Sequence, residues 1–71
     1  MNYFESANKF FELFLEEKNL YNLLEALQYM GNEIYKNPCE ENFRIHDFLE
    51  DLIYDLVYFK GIKEKYLPGE G

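Results

Sequence analysis

The sequence predicts an all-α protein: a small three-helix antiparallel bundle, with helices at about 3–17, 20–36 and 42–60 and a short C-terminal turn. Three observations carry that prediction. Apolar residues fall into three successive stripes, each with the three- and four-residue spacing of a helix face. An Asn stands at or near the start of every stripe (Asn2, Asn19, and Asn37 or Asn42), where its side chain can accept from the free N–H groups of a first turn. The breaks between stripes are only a few residues long, which makes neighbouring helices antiparallel.

In the first helix, Asn2 is the cap and Glu5 completes a capping box. Phe4, Ala7, Phe11, Phe14 and Leu15 line one face, Tyr3 and Phe10 flank it, and Leu13 points away. The break that follows contains neither Gly nor Pro and is read from phase. A new stripe runs through Leu20, Leu23, Leu24, Leu27, Met30, Gly31 and Ile34. If the first helix continued, Leu20 would lie about 180° from Phe11 and the stripes would share no core. The chain therefore turns near Glu16–Asn19, with Asn19 capping the second helix. Gly31 stays inside that helix, because Ile34 keeps the phase of Leu20 and Leu27. It faces the core side, where a missing side chain would let another helix come close. The second helix reaches about Tyr35 or Lys36.

Asn37-Pro38 ends the second helix, since the residue before a proline is pushed out of the α region. Asn37 as cap, Pro38 in the first position and Glu40 in the third make one entry to the third helix. Asn42 is a second candidate cap, and the favoured reading is a first or separate turn over Pro38–Asn42 with a regular helix from Phe43. Its core face comprises Ile45, Phe48, Leu49, Leu52, Leu56 and Phe59, and the opposite side collects Phe43, Asp47, Glu50, Asp51, Tyr54 and Tyr58. Gly61 after Lys60, with Ile62 against Val57, matches a Schellman stop. The chain is expected to be a single helical domain over 1–71, with 63–71 a partly mobile tail.

A 71-residue chain buries only about 60% of its unfolded surface. Cys39 is the only cysteine and cannot pair within the chain, so stability falls to apolar packing. With 48% hydrophobic and 20% aromatic residues, the chain has enough for a small core and some left for a surface. A formal charge of −7 repels nucleic acid and anionic lipid, which argues against either as a direct partner. No apolar run approaches the roughly 18 residues of a membrane span. The opening residues lack the basic and apolar regions of a signal peptide. The expected location is cytoplasmic.

Chemistry is poorly supplied, and no catalytic, cofactor-binding or metal-binding residue is assigned. Ser6 is the only Ser, and Thr is absent. Cys39 and His46 are seven residues apart, but no orienting group or oxyanion donor accompanies them. His46 and Glu50 are one turn apart, as are Asp47 and Asp51, yet the Glu-x-x-His pairs of helical di-metal sites do not occur. His46 is expected to flank the core, partly exposed.

What remains is the outer face of the third helix. Residues 37–60 contain six acids and two bases, a net of −4 within the −7 of the whole chain. Tyr54 and Tyr58 stand one turn apart among these charges. Tyrosine supplies large contact area at low entropic cost, and acids around it speed association with a basic surface. The candidate partner-binding residues are Phe43, Asp47, Glu50, Asp51, Tyr54, Asp55 and Tyr58. The expected function is a protein-binding module that docks this face on a basic protein surface. In size and charge the chain is similar to antitoxin, immunity, anti-restriction and phage-encoded inhibitor proteins. The alternative is a homo-oligomer, a homodimer for instance, that buries Phe10, Leu13 and Phe43 between copies and has no catalytic activity.

Overall fold

The structure, a computed structural model, describes residues 2–58. They form three helices, α1 (Tyr3–Glu17), α2 (Leu20–Lys36) and α3 (Glu40–Tyr58), and no strand. The expectations for Phe59, for the stop at Gly61 with Ile62, and for the 63–71 tail lie outside the described residues.

Local signals start and stop the first two helices as their sequence implies. The Asn2 carboxamide oxygen accepts from the Glu5 N–H at 2.7 Å, and its Nδ2 donates to Glu5 Oε1 at 3.3 Å. The capping box thus closes through the Asn side chain rather than its backbone. α1 ends at Lys18, whose backbone is left-handed (φ 58°) and whose N–H donates to the Phe14 carbonyl at 2.8 Å. The left-handed cap normally belongs to glycine. Here a lysine fills it, which is why the break carries no glycine to announce it. Asn19 then caps α2, its side chain accepting from the Tyr21 N–H at 2.9 Å.

The entry to α3 differs from both sequence-based versions. Asn37 terminates α2, donating its N–H to the Glu33 carbonyl at 2.7 Å, and so does not cap the next helix. α3 begins at Glu40, ahead of the expected start near 42, and the Cys39 carbonyl accepts from the Phe43 N–H at 3.1 Å. Asn42 is therefore not a cap. It is buried inside the first turn and donates Nδ2 to the Asn37 carbonyl at 3.0 Å, tying the start of α3 to the end of α2. A buried amide needs such a partner, and this one finds it in the carbonyl at the end of a helix.

The helices pack in antiparallel succession. Tyr3, at the start of α1, lies against Tyr29 (ring centroids 6.3 Å apart) and under the Lys36 ammonium at 5.9 Å, near the end of α2. α2 is the central element, with α1 and α3 each packed on it and only slightly on each other. Its Leu20, Leu23, Ala26 and Met30 are almost fully excluded from solvent, and Ala7 and Phe14 of α1 and Leu49 and Leu56 of α3 complete the core. The stripe on α2 is consequently wider than one face, and it takes in Ala26 and the half-buried Tyr29, which the apolar spacing did not single out. Phe10 stacks on Tyr29 at 5.7 Å.

α1 and α3 each pack on α2 and touch each other only slightly, and several expected core residues stand at the edges of the fold. Phe4, Leu15, Leu24 and Phe48 are each 40% exposed or more. Gly31 does continue α2 as its phase implies, but no close approach depends on it. A Cβ there would meet the His46 ring at 4.0 Å, an ordinary contact.

Candidate functional site

The candidate face is the side of α3 turned away from α2. With Asn42, Leu49 and Leu56 buried at seven-residue intervals, the helix directs its far side to solvent. All seven predicted residues, Phe43, Asp47, Glu50, Asp51, Tyr54, Asp55 and Tyr58, are exposed. The structure therefore gathers them on one continuous surface.

Tyr54 and Tyr58 stack on each other on this surface. Their rings are parallel (interplanar angle 1°) with centroids 5.8 Å apart, while Tyr54 is 55% and Tyr58 77% exposed. Each ring thus restricts the other. Side chains already held in one arrangement lose less entropy when a partner covers them. Asp47, Glu50, Asp51 and Asp55 surround the rings at helical spacing. Among the described residues the one salt bridge is Arg44–Glu40, at 2.7 Å on the first turns of α3. Among the described residues the acids around the tyrosines have no such counter-charge, so the field of the stripe reaches into solvent.

Phe43 is half-exposed, one turn before Asp47, and extends the apolar content of the face toward the start of the helix. His46 is half-buried at the edge, its Nε2 beside Gly31 of α2, in the flanking position expected for it. Its ring and the carboxylates of Asp47 and Glu50 offer ligand atoms that all lie within 4.8 Å of one another. These are the described residues best placed to hold a cation. Two of the three are fully solvated acids of the stripe, and no second feature of the site points to an ion. Cys39 is half-buried at the entry to α3 with a free thiol.

The stacking of Tyr54 on Tyr58 was beyond the reach of sequence reasoning, although the four-residue spacing permits it. A second feature had no signal at all in the sequence. A hollow of about 200 Å³ opens between α1 and α3, floored by Met30 of α2. It lies where the two outer helices, each packed on α2, touch each other only slightly. No protein-family model, no curated protein and no solved structure matches the chain.

Proposed function

We propose that the protein is a non-catalytic binding module, an inhibitor or immunity-type modulator, that docks the outer face of α3 on a basic surface of another protein. The observation that carries this reading is the stacked, exposed Tyr54–Tyr58 pair set among four acids that have no ion pair among the described residues. A solvated helix face needs charge, but it gains little from two large rings kept in register and out of the core. An interface gains from both. Acids raise the encounter rate with a basic partner, and tyrosines supply the desolvated anchor that slows its departure.

The alternative of a homo-oligomer has less to recommend it. Of the three residues assigned to a self-interface, Phe10 is occupied by Tyr29 within the chain and Leu13 is half-buried, which leaves Phe43. Seven net negative charges per subunit also oppose self-association at low ionic strength.

The test is capture from cells of the source organism with the wild-type chain and with Tyr54→Ala/Tyr58→Ala. A basic protein retained at low salt by the wild type and lost with the variant is the expected result. Equal capture by both would contradict the assignment of this face.

A further inference from the structure

We propose that the groove between α1 and α3 is a second binding site, distinct from the outer face of α3, and that it takes one basic amphipathic helix of a partner protein. The hollow in this groove is walled by Phe4 and Phe11 on one side and Ile45, Phe48 and Leu49 on the other, over the sulfur-bearing side chain of Met30. Ala7 contributes only a methyl group to the lining, which leaves room above Met30. Phe11 and Phe48 meet edge to face at 6.2 Å across the gap.

At about 200 Å³ the hollow falls below the roughly 300–1,000 Å³ of small-molecule sites. It suits one large apolar side chain, the form in which protein interfaces seat their anchors. The apolar lining also extends past the hollow. Helical spacing puts Leu15, 50% exposed, one turn beyond Phe11, and half-buried Leu52 one turn beyond Phe48. From Phe4 to Leu15 the seam is about 16 Å long at 1.5 Å per residue, the length of three turns of a docked helix. A helix that presents apolar side chains at i, i+3 or i+4, and i+7 matches it.

Charge selects the kind of helix. Each border of the seam carries an acid one turn from a lining residue: Glu12 after Asn8 on α1 and Glu41 before Ile45 on α3. The cation on that side, Arg44, is engaged by Glu40 at 2.7 Å. A second copy of this chain would bring acids to acids along both borders. A helix with Lys or Arg beside its apolar stripe would bring opposite charges together while Met30 and the two walls of aromatic and aliphatic side chains cover its anchor.

Three synthetic peptides of about 18 residues test this by methyl NMR of the full chain: leucines in helical register with lysines, the same leucines with glutamates, and a scramble of the lysine peptide. The expected result is saturable shifts of the Met30, Ile45 and Leu49 methyls with the patterned lysine peptide, and binding at least about tenfold weaker for the other two. Phe48→Asp and Asn8→Arg each weaken that binding by about tenfold or more, since both alter the mouth of the groove. Both residues are exposed, so the second variant serves if the first unfolds. Tyr54→Ala/Tyr58→Ala leaves it within about twofold, which separates this site from the outer face of α3. Equal binding of the scramble, shifts that spare the Met30 and Ile45 methyls, or a dimer in light scattering that shields the Met30 methyl would each overturn the proposal.

Discussion

The α1–α2 hairpin and α3 are built on different terms. The hairpin has side-chain caps at both helix starts, a left-handed stop between its helices, and the stacked Phe10–Tyr29 rings. It contributes six of the eight buried apolar residues among those described. α3 contributes two, Leu49 and Leu56, and a single described side-chain hydrogen bond, from Asn42, joins it to the end of α2. In exchange it carries the most concentrated acidity of the chain and two tyrosines in the open. Stability is gathered in the hairpin, and surface chemistry in the helix that leans on it. A helix with little core duty can devote most of its circumference to a partner.

The largest expected effect tests that division. Leu23 is completely buried where α2 meets its neighbours, and Leu23→Ala should cost about 3–4 kcal/mol, enough to unfold a domain whose total is on the order of 3–5 kcal/mol. Leu56→Ala, at a core position that is 7% exposed near the end of α3, should cost about 2 kcal/mol. Urea unfolding followed by circular dichroism measures both. An equal or larger loss at Leu56 would mean that α3 is as central as the hairpin.

Next in size is the link between the two regions. Asn42→Ala removes the donor to the Asn37 carbonyl and should destabilise by about 1–2 kcal/mol. Amide exchange should quicken along α3 more than along α2, because the lost bond is the one that anchors the start of α3. Uniform acceleration over all three helices would instead make the fold a single cooperative unit.

Gly31→Ala should change stability in the other direction. The new methyl meets only the His46 ring at 4.0 Å, so the gain in helix propensity, about 0.5–1 kcal/mol, is kept. A loss would show that α2 and α3 approach more tightly there than the geometry indicates. Smallest of all is Arg44→Ala, which breaks the exposed Arg44–Glu40 pair and should cost less than about 0.5 kcal/mol in the same unfolding assay.

Most of the fold is legible in the sequence, and the exceptions have physical causes. The turn at Lys18-Asn19 is readable from phase alone, because no single helix could hold Phe11 and Leu20 on one face. The start of α3 is not readable in that way. Asn37 and Asn42 both satisfy capping rules, and what sets both aside is a backbone bond from Asn37 to Glu33 and the burial of Asn42. Periodicity identifies which residues share a face, but not how far that face reaches under its neighbours. Hence Phe48, on the stripe of Leu49 and Leu52, ends 56% exposed at the rim of a groove. The exposure of the seven candidate site residues follows from their angular position opposite Leu49 and Leu56. The groove does not follow from any single helix, since residues of all three line it.

The central claim is that the outer stripe of α3 serves a partner and not the fold. The most direct measurement is the affinity of the captured basic partner for Tyr54→Ala/Tyr58→Ala, titrated alongside the wild type. The prediction is a loss of at least about tenfold in affinity from a variant whose unfolding free energy stays within about 0.5 kcal/mol of wild type. Undiminished affinity, or a loss that only tracks a destabilised fold, would contradict it.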